Sequence, residues 1–247
     1  MEVEAGHDGV TSVRLAGALA VFAGAAAAPG SLSEGELAER AAAWLAARCA
    51  RPQPVLYAEQ RHSAVTFVFS SETPLPPGPH LVGACDALVT DEPGVALQVR
   101  TADCLPVALA GGGAVAMVHA GWRGLAGDIL AAVLRRFAAD LGIAAAALEA
   151  VVGVGIGPCH YPVGAEVAAA LARLDAAGAP WRHDGAVDLG AFAAGRLAAL
   201  GVAPQRTLRL PGCTFCTQGF HSFRRDGAAA GRQWSAIVRQ QAYRGEA

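Results

Sequence analysis

Apolar and polar positions change period several times along the chain, and each change marks an element. From Ser33 to Ala50, "SEGELAERAAAWLAARCA" opens on a serine, carries early glutamates and late arginines, and offers Leu37, Trp44 and Leu45 to an inward face. That pattern predicts a helix, ended by Pro52 and Pro54. "VLYAEQRHSAVTFVF" (55–69) is rich in Val, Phe and Tyr and predicts extended chain on both sides of a turn near Gln60–Ser63, with His62 at the bend. A loop with five prolines between 74 and 93 follows, interrupted by a short strand at "CDALVT". "VALQVRT", "CLPVALA" and "AVAMVHA" then predict three successive strands, the last two joined by a turn at Gly111-Gly112-Gly113.

Helical spacing takes over at "LAGDILAAVLRRFAADLG" (125–142), a predicted helix ending at Gly142. Beyond it the pattern alternates: "LEAVVGVGIGP" strand, "VGAEVAAALARL" helix, "VDL" strand, "GAFAAGRLAALG" helix, "RTLRL" strand and a last strand in "GRQWSAIVRQ". Strands cluster first and alternate with helices later. The expectation is an α/β fold with a mixed sheet and helices packed on its faces. With 247 residues and no internal repeat, residues 1–247 are expected to form a single domain.

Composition removes several function classes. At 53% apolar and 16% charged, the chain is too hydrophobic to be disordered. All 19 basic residues are arginine, the net charge is −2, and no basic block exceeds two residues, which argues against a nucleic-acid partner. "LAGALAVFAGAAAAPG" (15–30) has the length and small-residue pattern of a secretory signal, but its flank carries Glu2, Glu4 and Asp8 against a single Arg14. It is also too short to span a bilayer, so an ordinary folded segment and no membrane partner are expected. Six cysteines in a chain this long are too sparse for a disulfide scaffold and fit reduced thiols in a cytoplasmic protein.

Two polar side chains stand out in the apolar strands. Cys104 starts one arm of the predicted hairpin and His119 ends the other, so the pair meets at the open end with Cβ atoms about 5 Å apart. There a thiolate and an imidazole can share a proton or hold one metal ion. The bland reading is a buried cysteine and a histidine satisfied by backbone, the commoner fate of isolated residues of both types. Asp103 before the cysteine, Gly-Trp-Arg-Gly after the histidine, and a location at strand ends favour the functional one.

"RTADCLP", "VHAGWRG", "GIGPCHYPVG" and "CTFCTQGFHSFRRDGAAAGRQWS" resemble, in order and spacing, the YfiH/laccase-domain family, long labelled multicopper polyphenol oxidases and now regarded as purine nucleoside phosphorylases. The resemblance covers roughly residues 54–240, with residues 1–53 as a divergent N-terminal part. It implies a zinc ion held by His62 (from a "Q-x-H" segment), Cys104 and His119, the three residues expected to be catalytic. Two imidazoles and one thiolate leave a fourth position open, which suits an activating rather than a structural zinc.

Phosphorolysis of a purine nucleoside also needs an anion pocket for phosphate, and the arginine fork suits phosphate oxygens. Arg123, Arg224, Arg225 and Arg232 are the candidates, with Tyr161 lining the pocket; a salt-bridging or solvated role is the default for each. Adenosine, inosine or methylthioadenosine would be substrates, with adenosine deamination a further activity and a monomer or homodimer the assembly. Asp103 and Asp226 are possible general acids, although a loop aspartate is more often a turn residue.

Cys213-x-x-Cys216 is read as a structural or reduced pair, since no second C-x-x-C exists. At Cys159-His160 the resembled family usually has two cysteines, followed by Tyr-Glu where Tyr161-Pro162 stands here. His7, His80, His183 and His221 are read as structural or exposed. Rival functions are a Cys104–His119 hydrolase, an amidase acting on cell-wall precursors, a copper-binding polyphenol oxidase and a non-enzymatic binding module. Only seven histidines argue against three copper sites, while one copper ion binding adventitiously in vitro is compatible with the donors.

Overall fold

A computed structural model describes residues 1–6, 9–49, 52–70, 74–174 and 180–240. In chain order the first elements are β1 (Glu2–Ala5), β2 (Val10–Leu15), β3 (Ala18–Ala23), α1 (Glu34–Arg48), β4 (Pro54–Glu59), β5 (Thr66–Phe69), β6 (Gly78–Ala84) and β7 (Ala87–Thr90). There follow β8 (Ala96–Thr101), β9 (Leu105–Gly111), β10 (Ala114–Ala120), α2 (Trp122–Ala126), α3 (Ile129–Leu141) and β11 (Glu149–Val152). The last are α4 (Ala165–Ala172), β12 (Arg182–His183), β13 (Ala186–Val187), α5 (Leu189–Ala199), β14 (Thr207–Arg209), α6 (Phe223–Asp226) and β15 (Gln233–Arg239).

The α/β class holds, and the β layer is double. One large sheet has the order β1-β2-β3-β15-β8-β4-β6 and the other β14-β11-β9-β10-β7-β5, each mixing parallel and antiparallel pairs, while β12 and β13 pair by themselves. The two large sheets stack face to face over Val13, Phe22, Leu56, Leu97 and Ile237 from the first sheet and Leu88, Val115, Met117 and Val151 from the second. On the outer face of the seven-stranded sheet lies α1, whose Leu37, Ala38, Ala41 and Leu45 are buried among Val21, Val55 and Val238. Against the outer face of the six-stranded sheet pack α3, α4 and α5, through residues such as Phe137, Leu171 and Phe192.

Local chemistry explains the elements. Ser33 and Glu36 form a reciprocal capping box that satisfies two otherwise orphaned N–H groups at the start of α1. Trp44 is only half-buried; it meets Trp234 edge-on at 6.2 Å. Gly112 and Gly113, with φ of 59° and 87°, turn the β9–β10 hairpin as a two-residue loop with both φ positive requires. Within the segment 15–30, Ala18–Ala23 form β3, every residue of which is buried.

The extended chain expected on both sides of the turn at 60–63 is present as β4 and β5, and the turn carries the chain from one sheet to the other. Two expectations change. The proline-rich stretch hides β6, tolerated because it is an edge strand, where a missing N–H leaves no ladder bond unmade. The helix expected over 125–142 is two: Asp128 has a left-handed φ of 61°, so α2 ends and α3 starts anew. His7 and Ala50 lie outside the described residues. No helix among the described residues is long and apolar enough to cross a membrane.

Candidate metal centre

Strand β10 alternates, with Val115, Met117 and His119 on the side facing the space between the sheets. His119 is the last of the three and stands at the rim, paired across the hairpin with Pro106. Cys104 immediately precedes β9, and His62 comes in from the turn that links the sheets. One ligand atom each from His62, Cys104 and His119 lies within 4.8 Å of the others. The two imidazole rings meet edge-on with centroids 4.8 Å apart. His119 is buried, Cys104 half-buried and His62 exposed, so the cluster opens to solvent on one side.

Asp86 holds this arrangement together, and sequence reasoning missed it. Its carboxylate is buried where the chain passes from β6 to β7. It accepts the backbone N–H groups of Arg61, His62 and Ser63 at 3.2, 2.9 and 2.6 Å and the Ser63 hydroxyl at 2.6 Å. Three successive N–H groups curl around one anion only if the chain bends sharply, and His62 accordingly has a left-handed φ of 57°. On its other side Asp86 accepts His119 Nδ1 at 2.8 Å. That bond commits Nδ1 to the carboxylate and turns Nε2 toward Cys104, the arrangement that commonly orients metal-ligating histidines.

The electrostatics agree. Burial opposes ionisation of Asp86, but hydrogen bonds from His119 and Ser63 outweigh it and hold the carboxyl well below the usual range. Burial likewise opposes the Cys104 thiolate, yet hydrogen bonds from His119 and His62 bring the thiol down to about 6. His119 resists burial in the same way and is raised to about 9 by Asp86 and Cys104. Cys85, next to Asp86 in the chain, shows the contrast: burial, with the aspartate's charge, pushes its thiol up to about 11.

A metal ion suits this donor set. A deprotonated thiolate and two imidazoles converge, one imidazole already oriented by a carboxylate. Gly121 completes the cradle: a Cβ there would come within 2.9 Å of Cys104 Sγ and 3.1 Å of the His62 ring. Only a residue without a side chain leaves both ligands where they are.

The five candidate substrate residues separate into groups. Tyr161 lies within electrostatic reach of Cys104, Asp103, Arg224 and Arg123. Burial first, and then the Cys104 charge, push its phenol up to about 12. Arg224 lies 5.0 Å above the Tyr161 ring and Arg123 rests on Trp122 at 4.5 Å; both are exposed and neither forms an ion pair among the described residues. Arg225 directs all five N–H donors inward, to both Asp226 oxygens and to the carbonyls of Thr214, Phe215 and Phe220. Arg232 bonds the carbonyls of Ala230 and Gly231 and lies close enough to feel the charge of Arg100.

Asp103, with φ of 87°, accepts the Thr214 hydroxyl at 2.6 Å and the Arg224 N–H at 2.7 Å, tying the Cys104 strand to the C-terminal loop. Asp226 is paired with Arg225. Gln60 clamps the backbone of Arg100 through two bonds of 2.8 Å. His80 bonds the Pro76 carbonyl, His221 bonds the Ala28 carbonyl, and His183 is exposed.

Residues 33–240 match the family described as "Multi-copper polyphenol oxidoreductase laccase". The chain belongs to the YfiH/laccase-domain family. A Shigella flexneri relative named "Purine nucleoside phosphorylase YfiH" is 34% identical over 193 residues, covering 75% of this chain and 74% of that one. A Xylella fastidiosa relative named "Purine nucleoside phosphorylase" is 40% identical over 156 residues, covering 57% and 56%. The chain thus spans little over half the length of that relative. The crystal structure of YlmD from Geobacillus stearothermophilus superposes with a TM-score of 0.81 at 26% identity, over 97% of this chain and 99% of that one. The laccase-domain fold expected from the motifs is therefore the fold observed.

Proposed function

We propose that this YfiH-family chain is a zinc-dependent purine nucleoside phosphorylase, acting on nucleosides such as adenosine, inosine or methylthioadenosine with inorganic phosphate. The observation that carries the reading is the convergence of His62, Cys104 and His119 with Asp86 behind His119, in a chain whose relatives bear the phosphorylase name.

In this reading the Cys104 thiolate and the imidazoles of His62 and His119 hold the ion. Zinc bound there would supply Lewis acidity toward the substrate. Asp86 holds the His119 ring through Nδ1, so Nε2 is the nitrogen that would give up its proton to an ion at the cluster. Arg123 and Arg224, exposed and without carboxylate partners among the described residues, bind phosphate oxygens through their planar forks. Tyr161 stays protonated at neutral pH and offers its O–H as a donor beside them. Arg225 positions the loop that carries Arg224.

The test is turnover of adenosine with and without phosphate. Ribose 1-phosphate and adenine, dependent on phosphate and lost on metal removal, are expected. Inosine and ammonia in addition would establish deamination as a second activity of the same centre. Neither product pair, with folded metal-loaded protein in hand, overturns the proposal.

A second reading rests on the Asp86–His119–Cys104 line, which has the order of a carboxylate–imidazole–nucleophile triad. A Cys104 hydrolase of that kind would not need His62. Amide or ester cleavage that survives His62→Ala and chelation would favour it, and loss of both metal and activity in His62→Ala would dismiss it.

A further inference from the structure

Four more soft donors meet at a second point of the surface, on the loops that follow β11 and β14. Cys159 and His160 lie in the short 3-10 turn Pro158–His160, and Cys213 and Cys216 in the loop after β14. One ligand atom from each of the four lies within 4.8 Å of all the others. Cys159 Sγ is 3.5 Å from Cys216 Sγ, which in turn is 3.1 Å from His160 Nδ1. Cys213 Sγ accepts the Gly157 N–H at 3.2 Å, and the N–H groups of Phe215 and Cys216 are also directed at it. The His160 ring is held flat against Phe215, with centroids 4.0 Å apart and planes 12° apart.

Zinc bonds of about 2.3 Å to sulfur and about 2.0 Å to nitrogen place tetrahedral ligands roughly 3.5–3.8 Å from one another. The closest pairs are already at or below that spacing, and the widest needs to close by only about 1 Å. Three sulfurs and one imidazole with no carboxylate select zinc over the hard cations. None of the six cysteines is in a disulfide. Four protein ligands fill a tetrahedral sphere, so such a centre has a structural task.

That task is legible in what the two loops carry. The first leads into Tyr161; the second contains Thr214, bonded to Asp103, and runs on to Arg224, which lies over Tyr161. We propose that Cys159, His160, Cys213 and Cys216 form a second, closed zinc site that clips the Tyr161 loop to the Arg224 loop beside the first cluster.

Metal content of the full chain, purified without added metal or chelator and weighed by native mass spectrometry, tests this. Two zinc ions per chain are expected in the wild type, one in Cys104→Ala/His119→Ala and one in Cys159→Ser/Cys216→Ser. His160→Cys should retain two, which guards against mistaking misfolding for lost ligation. Cobalt supplied to Cys104→Ala/His119→Ala should give a thiolate-to-metal absorption band, since three cysteine ligands remain. A wild type with a single zinc that Cys159→Ser/Cys216→Ser leaves untouched overturns the proposal, as does a Cys159–Cys216 disulfide in protein isolated with its thiols blocked. Failure of the phosphorylase assay with both ions present would count against the proposed function alone.

Discussion

The two Cys/His clusters use the same donor chemistry on opposite kinds of scaffold. His62, Cys104 and His119 sit at the ends of strands locked between two layers of core, and a buried carboxylate dictates the orientation of one ring and the backbone of the turn bearing another. Cys159, His160, Cys213 and Cys216 sit outside the strands, two of them exposed, with an aromatic ring against His160 and backbone N–H groups around Cys213. The first is held in shape by the protein and offers three donors. The second offers four and, as proposed, would draw its shape from the ion. Chemistry belongs where the scaffold is preorganised, and cross-linking where it is not.

The largest test of that contrast removes a ligand from each. Cys104→Ala or His119→Ala should lower phosphorolysis on the order of 10³-fold, because several kcal/mol of transition-state stabilisation is forfeited at 1.36 kcal/mol per tenfold. Thermal stability should change far less. Cys213→Ser should do the reverse, lowering the melting temperature while leaving residual turnover measurable. Equal effects of the two on kcat would erase the distinction.

Asp86→Asn probes the support. It keeps the volume but loses the charge that gathers three N–H groups and the His119 ring, and about 10–100-fold should be lost from metal affinity or activity. Its folded value lies below 3.8, so the stability it adds is complete above that pH and fades as pH falls toward the depressed value. The wild-type melting temperature should therefore fall on acidification more steeply than that of the variant.

Cys104 and Cys85 sharpen the comparison at the level of single thiols. In metal-free protein the Cys104 thiolate is stabilised relative to its ordinary value of 9.0, and this is lost as pH falls through about 6. Alkylation by iodoacetamide should thus be near its plateau at pH 7, drop about tenfold per unit below 6 and be blocked by zinc. Cys85, held near 11, should stay unlabelled under the same conditions, as peptide mapping would reveal.

The smallest effect expected is at the capping box. Ser33→Ala should cost about 1 kcal/mol of stability and leave metal content and turnover as they were. A loss of zinc in that variant would mean that the α1 layer reaches the centre.

The β9–β10 hairpin and α1 could be read from the sequence because their signals are local: alternation broken by Gly112-Gly113, and a serine three residues ahead of Glu36. The meeting of Cys104 with His119 followed from the hairpin. The double sheet did not, since whether β4 and β5 pair or part is decided by distant strands. Asp128 kept the apolar period of α2 and α3 intact while breaking the helix, and the prolines near β6 masked an edge strand. Asp86 stayed hidden for a different reason. Its partners are mostly backbone N–H groups, which every residue but proline possesses and which leave no trace in side-chain pattern. Likewise the C-x-x-C pair looked solitary because its companions, Cys159 and His160, are more than fifty residues away.

Gly121 has a consequence for anyone who mutagenises this chain. In a library holding all twenty residues at that position, survivors should rank by bulk and not by polarity or charge, since even one methyl group must push aside a sulfur and an imidazole. The missing atom shapes the cluster as much as the atoms that are there.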